Sequence, residues 1–317
     1  MLIRCFSSFL FFLSVACCWA QPLADGSVDA LLTTEWGQRD PYNRLCPDYY
    51  TNSGNHYKCK AGCVAVAMAQ VMRYWAYPDE TKEKISGYLN LAFWWDGSRI
   101  QYHTLEDIPA HTPLSWPLMQ DKYGYSESDE VGEPVAVLMK CCGQSVVMKY
   151  DRSSSATPYL IANALKSKFG YAESTRYVAR KDYSDAAWQR LLKNELQAGR
   201  PVIYGGEKKG GTGHSFVIDG YRASDGLFHV NWGADGVNNG WFALDVMDPS
   251  GGSDGYCEAQ DAIIGIMPPE GYVSAVEAVR AEAASESLWF TLSGQRIDHP
   301  TSPGIYVHNG RKVMIWR

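Results

Sequence analysis

The 317-residue sequence lacks several features that would assign it to other classes of protein. Beyond its N-terminus it has no apolar run long enough to cross a bilayer, and it has no internal repeat or low-complexity tract. Its formal net charge of −6 argues against a nucleic-acid partner, which would require a basic face. The composition, 46% hydrophobic and 20% charged, is that of an ordinary globular protein.

A recognisable metal site is also missing. The residues that such a site would use are Cys59 with Cys63, or Cys141 with Cys142, and His56 nearby. Their spacing matches no zinc pattern well. We therefore expect neither a metal nor another cofactor.

The first 20 residues differ from the rest of the chain. Arg4 precedes an uncharged apolar run, Phe6 to Trp19, which ends at the small residue Ala20. This pattern predicts a secretory signal peptide over residues 1–20, and hence a protein that is extracellular or held on the outer-membrane surface. The alternatives are a buried helix and a lipoprotein signal at Cys17 or Cys18.

Export would change how the cysteines are interpreted. Six remain after the signal, and in an oxidising compartment they could form disulfides. If one is kept free for chemistry, at least one of the other five is also unpaired. The sequence leaves the pairing open. The six are Cys46, Cys59, Cys63, Cys141, Cys142 and Cys257.

Helical periodicity dominates the first part of the chain and strand patterns the second. The expected helices are Gly62–Tyr77, Glu133–Cys142, Thr157–Phe169 and Ser184–Gln197. The expected strands are Pro201–Tyr204, Ser215–Tyr221, Leu227–Trp232 and Gly240–Leu244. Segments 40–55 and 80–128 are expected to be loop or irregular. This order predicts an α+β protein of two lobes with a substrate site between them.

Cys63 is the cysteine best placed for nucleophilic chemistry. It follows a loop and opens the helix expected from Gly62. A helix N-terminus presents unpaired N–H groups and partial positive charge, which favour a thiolate over a thiol. The same N–H groups can hold a developing oxyanion. The alternative for Cys63 is an inert core cysteine.

His214 has the best setting of the seven histidines for a catalytic base. It lies between a glycine-rich turn, Gly210 to Gly213, and an apolar strand that would hold its imidazole rigidly. Asn231 on the next strand could accept the Nδ1–H of His214, and Trp232 could shield that bond from water. The order Cys, His, Asn is the one that a papain-like mechanism requires.

The sequence resembles the streptopain family of papain-like cysteine peptidases, in its Bacteroidetes form. The resemblance runs over roughly residues 34–267 and rests on four segments in order. These are Trp36-Gly37-Gln38 with Pro41-Tyr42-Asn43, Gly62 to Met72 with Tyr77-Pro78, Gly213 to Gly220, and His229 to Gly233. Weaker matches are Ser115-Trp116, Ser153 to Ala156 and Lys168 to Tyr171.

The resemblance implies a papain-like fold and endopeptidase activity on protein or peptide substrates. By position, Cys63 is the nucleophile, His214 the proton acceptor and Asn231 the orienting residue. Gln38 supplies an oxyanion-hole amide beside the backbone N–H of Cys63. An apolar residue at the P2 position of the substrate is also implied.

Three further residues are expected to bind substrate. Ser155, whose match needs a one-residue gap, and Gly213 fall at positions that hold the substrate backbone or the P2 side chain. Trp232 completes this candidate set.

Two features depart from the family pattern. Only about 15 residues separate Ala20 from Trp36, where the family has a long inhibitory propeptide. Restraint would then come from a separate protein inhibitor, from the C-terminal unit, or be absent. Ala234 stands where the family tends to have a second aromatic residue, which puts the shape of the substrate site in doubt.

The expected domain organisation is a signal peptide (1–20), a papain-like domain (21–268), a linker (269–287) and a small C-terminal unit (288–317). In that unit, Asn309-Gly310 between two apolar runs predicts a β-hairpin. The unit resembles the short tails that sort exported Bacteroidetes proteins across the outer membrane. The alternative is a hairpin that packs on the domain or frays.

The sequence thus predicts a secreted cysteine endopeptidase that works through an acyl-thioester on Cys63. One alternative is a thiol acyl transferase or amidase on the same fold, which would use the same three residues. The other is a secreted binding protein without catalytic activity. Nucleic acid and a transmembrane segment are not expected.

Overall fold

The computed structural model describes residues 23–51, 53–93, 100–252, 254–272, 289–291, 296–297, 300, 304–308 and 311–315. The predicted signal peptide and most of the predicted linker lie outside these ranges. Within them, the longest helices are too short or too polar to span a bilayer.

In the part of the chain that the structure describes, four α-helices precede most of the strands. They are α1 (Cys63–Trp75), α2 (Asp129–Ser145), α3 (Leu160–Phe169) and α4 (Asp185–Gln197). Two short 3-10 helices cover Trp116–Leu118 and Arg180–Asp182.

Helix α1 is the central helix and is buried along nearly its whole length. Val64 to Met72 are all buried, and Gln70 is the one polar residue among these nine. Ala76 ends it in the left-handed conformation, with its N–H bonded to the carbonyls of Met72 and Arg73. The helix packs against α2 on one side and against the sheet on the other.

The observed helix ends differ from the expected ones where tertiary packing overrides local signals. Helix α2 runs through Gly143 instead of ending before it. Glycine at this position allows the close approach of Tyr150, because a Cβ would lie 2.2 Å from the Tyr150 hydroxyl. Helix α3 begins at Leu160, after a turn at Pro158. Helix α4 begins as expected, with the Ser184 hydroxyl accepting the N–H of Ala187 at 3.3 Å.

Fourteen strands lie within the described ranges. They are β1 (Asp48–Tyr50), β2 (His56–Lys58), β3 (Tyr88–Phe93), β4 (Ile100–Leu105), β5 (Arg176–Ala179), β6 (Val202–Glu207), β7 (Gly213–Arg222), β8 (Leu227–Asn231), β9 (Gly240–Phe242), β10 (Glu258–Ile264), β11 (Trp289–Thr291), β12 (Arg296–Ile297), β13 (Gly304–His308) and β14 (Arg311–Ile315). The main sheet is antiparallel, in the order β5-β10-β6-β7-β8-β9. The α+β prediction is confirmed.

Strands β1, β3 and β4 lie in segments that we expected to be loop or irregular, and β2 directly follows the first of these segments. In β3–β4, amide side chains occupy buried positions where a strand pattern would have apolar residues. Asn90 forms two hydrogen bonds with the backbone of Tyr150, and Gln101 forms two with the backbone of Tyr50. Each amide thus mimics a strand partner, which local patterning cannot reveal.

Strands β13 and β14 pair antiparallel, with His308 opposite Arg311, as the Asn-Gly signal predicts for the flanking residues. Residues 309–310 themselves lie outside the described ranges. All six cysteines in the described ranges are free thiols, and Cys141 and Cys142 are buried in the core.

Candidate active site

Cys63 is the first residue of α1, at its N-terminus beside the sheet, and is half-buried. Gly62 before it has a φ of 92°, a backbone conformation that favours glycine. A Cβ on Gly62 would also lie 2.7 Å from the side chain of Met148. The tight entry into α1 therefore depends on Gly62 and fixes where the thiol lies.

Opposing influences act on the Cys63 thiol. Burial alone raises its pKa, but a hydrogen bond and charge interaction with His214 lower it, as do the N–H groups of Ser215 and Val64. The lowering influences prevail, so the pKa of Cys63 lies below the ordinary value of 9.0. The nucleophile prediction requires this thiolate character.

His214 is the second residue of β7, and its imidazole is held from two sides. Its Nε2 lies 2.9 Å from the backbone carbonyl of Trp232. A carbonyl only accepts, so Nε2 carries the proton and Nδ1 is left for Cys63. The ring stacks on Trp232 at 14° and lies 5.2 Å from the ring of Tyr256.

Asn231 does not orient His214 as we expected. Its Oδ1 accepts from Gln70 at 3.2 Å and from the N–H of Gly233 at 3.1 Å, and its Nδ2 donates to the carbonyl of Thr34 at 2.7 Å. The backbone of the next residue, Trp232, takes the expected place beside the imidazole. The side chain of Asn231 instead fixes the strand end that carries this carbonyl.

Gln70 is a buried residue of the site that the sequence analysis missed. Its Oε1 accepts from the hydroxyl of Thr34 at 3.0 Å and from the N–H of Trp36 at 3.3 Å, while its Nε2 donates to Asn231. Gln70 thereby connects α1, the end of β8 and the segment that leads to Gln38. A polar residue in the otherwise apolar run Val64–Met72 was the available signal.

Gln38 lies next to the segment before Cys63. Its backbone carbonyl accepts the N–H of Ala61 at 3.0 Å. Its side-chain amide is half-exposed and has no hydrogen-bond partner among the residues that the structure describes. The structure thus places the main chain of Gln38 beside the segment that leads into α1.

The expected substrate-binding residues are placed unequally. Gly213 is exposed at the start of β7, directly before His214. Ser155 is exposed, but its backbone N–H and carbonyl pair with Lys149, so they are not free to hold a substrate backbone. Trp232 is only 1% exposed. Its ring lies against His214, and it supports the imidazole where we expected contact with substrate.

Tyr256 is a second residue that the sequence analysis missed. Burial and then the nearby charge of Cys63 raise the pKa of its hydroxyl, and its ring lies beside His214. Tyr256 lies just before β10, a strand that the sequence analysis did not expect.

In the described ranges, no group of three or more His, Cys, Asp or Glu side chains is arranged to hold a metal.

The loop after Trp232 contains Ala234, one of the two departures noted above. Ala234 is exposed. The next residue, Asp235, lies so close to Gly37 that a Cβ on Gly37 would be 2.1 Å from the Asp235 carboxylate. The N–H of Asp235 also donates to the carbonyl of Trp36 at 3.2 Å. This loop therefore packs directly against the segment that carries Gln38.

Residues 36–242 match the sequence model of the peptidase C10 family. Streptopain of Streptococcus pyogenes is 33% identical over 264 residues, covering 78% of this chain and 64% of streptopain. The thiol protease/hemagglutinin PrtT of Porphyromonas gingivalis is 34% identical over 239 residues, covering 74% of this chain and 26% of that protein. The chain thus spans less than two thirds of the length of these relatives.

Solved structures show the same similarity. The active wild-type interpain A cysteine protease of Prevotella intermedia matches with a TM-score of 0.65 and 32% identity, covering 75% of this chain and 94% of that one. A prointerpain A fragment from the same organism matches with a TM-score of 0.61 and 32% identity, covering 76% and 72%. The papain-like fold expected from the sequence is confirmed.

Proposed function

Because this chain belongs to the peptidase C10 family, we propose that it is a secreted cysteine endopeptidase in which Cys63 is the nucleophile and His214 the general acid and base. The observation that carries the proposal is the pKa of the Cys63 thiol, which His214 lowers despite burial. Cys142, buried in the same helical layer with no imidazole beside it, has a pKa raised well above the ordinary value. Burial alone would therefore raise the pKa of Cys63 as well and keep it as an unreactive thiol.

In the first half of the reaction, the thiolate of Cys63 attacks the carbonyl carbon of the scissile peptide bond. The oxyanion that forms accepts hydrogen bonds from the backbone N–H of Cys63 and the side-chain amide of Gln38. His214 then gives the proton on Nδ1 to the leaving amine, and the C–N bond breaks. An acyl-thioester remains on Cys63.

In the second half, Nδ1 of His214 takes a proton from a water molecule as its oxygen attacks the thioester. The C–S bond breaks, the carboxylic acid product leaves, and the thiolate–imidazolium pair forms again. Trp232 supports both halves, because its carbonyl keeps the proton on Nε2 and directs Nδ1 toward the sulfur. No cofactor takes part in these steps.

The test is active-site labelling of the protein from residue 21 with a peptidyl epoxide, followed by mass spectrometry and a casein cleavage assay under reducing conditions. We expect wild type to be labelled on Cys63 and to cleave casein, and Cys63→Ala and His214→Ala to do neither. Cys257→Ala is the matched control, because Cys257 is the other half-exposed cysteine of the described ranges. It should behave as wild type.

Each other outcome points to a different function. Labelling that persists in Cys63→Ala, or no cleavage by wild type, would overturn the proposal and favour a binding protein without catalytic activity. If Cys63 is labelled but the products are ligated or deamidated peptides and not hydrolysed ones, a thiol acyl transferase or amidase would be favoured. Export is tested separately, by locating the protein and its first residue after expression with the native N-terminus.

A further inference from the structure

A large surface cavity of about 1320 Å3 lies in the helical half of the molecule, beside the β1–β2 hairpin. Its wall is formed by the residues that follow Gln38, by both halves of the hairpin and by residues 126–129, and Arg152 completes it. Two hydrogen bonds tie this wall together. Lys60 N–H donates to the carbonyl of Asp151 at 3.3 Å, and the Ser154 hydroxyl donates to the carbonyl of Lys60.

The cavity adjoins the candidate active site through these same segments. Arg39 in its wall directly follows Gln38, and Lys60 is three residues before Cys63. The hydrogen bond between Ala61 and Gln38 holds the two segments side by side. The segments that carry Gln38 and lead into Cys63 thus also carry Arg39 and Lys60 of the cavity wall.

The wall of the cavity is positively charged, although the whole chain has a formal net charge of −6. Five cationic side chains line it against three carboxylates. The cations are Arg39, Arg44, Lys58, Lys60 and Arg152, and the carboxylates are Asp40, Glu127 and Asp129.

The carboxylates are already satisfied within the protein. Arg44 forms ion pairs with Asp40 at 2.7 Å and with Asp129 at 3.4 Å. Glu127 accepts the N–H of Gly124 at 2.7 Å. By contrast, Arg39 and Lys60 form no ion pair within 4.0 Å with any residue that the structure describes. The charge of Arg39 acts in part on the Asp235 carboxyl, and Lys58 pairs with Asp48 at 3.2 Å. Lys60 has no such partner among the described residues, so its charge remains available to a ligand.

We propose that this cavity is a substrate subsite that selects acidic side chains, Asp or Glu, in the peptide to be cleaved, with Arg39 and Lys60 as the selecting charges. The inference rests on the proposed peptidase function, since it assigns a specificity to that site. An acidic side chain gains from both cations, whereas the rest of this acidic protein repels it. The cations do not touch the reacting atoms, so their effect falls on KM.

The experiment uses pairs of quenched fluorogenic peptides that differ only by Glu or Gln, placed in turn at each of about four positions on either side of the cleaved bond. For wild type, we expect Glu to be preferred at one or two positions, by about fivefold in kcat/KM. Arg39→Gln and Lys60→Gln should each lower this ratio toward one, and Lys60→Glu should reverse it. Raising the salt concentration should also lower the ratio, because these charges are partly exposed.

The ratio of Glu to Gln peptides separates lost charge from a general loss of activity or folding. Lys181→Gln is the matched control, because Lys181 is exposed in the 3-10 helix at 180–182, outside the cavity wall. It should keep the wild-type ratio. The proposal is overturned if no position prefers Glu, or if the preference survives in Lys60→Gln and Arg39→Gln.

A binding measurement distinguishes this failure from failure of the proposed function. The Cys63→Ala protein, titrated with the preferred Glu peptide and its Gln counterpart, should bind the Glu peptide more tightly by a similar factor. If wild type cleaves neither peptide yet Cys63→Ala discriminates between them, the subsite stands and the peptidase proposal fails. If wild type cleaves both peptides equally, the peptidase proposal stands and the acidic subsite fails.

Discussion

Two imidazoles lie at opposite ends of the strand pair β7–β8, and their surroundings differ. At one end, His214 contacts a thiol and is held by a neutral backbone carbonyl. At the other, Nδ1 of His229 lies 2.7 Å from a carboxylate of Asp219, which is fully buried. The two sites are about 20 Å apart along β7, six residues at the usual strand rise.

The difference separates the proposed chemical role of His214 from the structural role of His229. The other oxygen of Asp219 accepts the N–H of Leu32 at 3.0 Å, so the Asp219–His229 pair anchors the segment that crosses β7 on its way to Gln38. That site contains a His–Asp pair but has no nucleophile. Beside His214 the described residues place a thiol and no paired carboxylate, so in the proposed mechanism the thiolate itself balances the positive charge of the imidazolium. If the proposal holds, a carboxylate beside a histidine does not by itself mark the catalytic histidine of this protein.

The largest expected effect is at the His214 end. Cys63→Ala and His214→Ala should lower kcat/KM by about 10⁴-fold or more, because each removes a reacting group. His229→Ala should instead lower the free energy of unfolding by about 2–3 kcal/mol, because it leaves a buried carboxylate short of a partner. Its activity well below the melting temperature should stay near wild type. A folded His229→Ala protein without activity would contradict the separation of the two ends.

Next in size is the oxyanion donor. Gln38→Ala should lower kcat by about 10²-fold with little change in KM, because its amide would act only in the transition state. Gln197→Ala is the comparison: its amide anchors the same N-terminal segment, at Gly26, by a 3.1 Å hydrogen bond. It should lower stability slightly and leave kcat alone. Equal kcat losses in both would make Gln38 an anchoring residue.

The third largest expected effect is on the pH dependence of Cys63 alkylation. In wild type, alkylation of Cys63 by iodoacetamide should reach half its maximal rate below pH 9.0, because His214 lowers the pKa of the thiol. In His214→Ala only burial and two N–H groups remain, so the midpoint should move up and the rate at pH 7 should fall by at least about tenfold. A midpoint that does not move would contradict the thiolate–imidazolium pair.

Gln70→Ala should combine the two kinds of effect. It leaves the Thr34 hydroxyl, the Trp36 N–H and Asn231 short of partners, for a loss of about 2–4 kcal/mol in unfolding free energy. Gln144→Ala should cost about as much, because buried Gln144 donates to the carbonyls of Ser86 and Glu106. Only Gln70→Ala should also lower kcat, by about tenfold, since it loosens Gln38 and Trp232. Equal kcat in the two variants would refute this positioning role.

The smallest effect lies away from both histidines. Burial raises the pKa of Asp261 in β10 to about 6, above its ordinary 3.8, although the hydroxyl of Tyr177 partly opposes this. An acid whose folded pKa is raised destabilises the protein once it ionises, so stability should fall as pH rises from about 4 to 7. Asp261→Asn should raise the unfolding free energy at pH 7.5 by about 1 kcal/mol and flatten this dependence. Denaturant titration across that pH range measures both.

Much of the fold was predictable because it depends on local patterns. Helices α1 and α4 and strands β6 to β9 follow apolar periodicity and punctuation by glycine and proline. Strands β5 and β10 were missed, and β10 contains an irregularity between Glu258 and Asp261 that breaks its alternation. Hairpin β3–β4 was missed because Asn90 and Gln101 occupy buried positions where apolar residues are expected.

For the candidate site, the sequence by itself determined the residue types and their order: a cysteine at a helix start, a histidine at a strand start after glycines, and an amide on the next strand. Only the tertiary structure decided which atoms meet. The partner of His214 is a backbone carbonyl, and every residue has one, so no side chain in the sequence could point to it. The same holds for Gln70 and the charged cavity, whose partners come from segments far apart in the chain and meet only through packing.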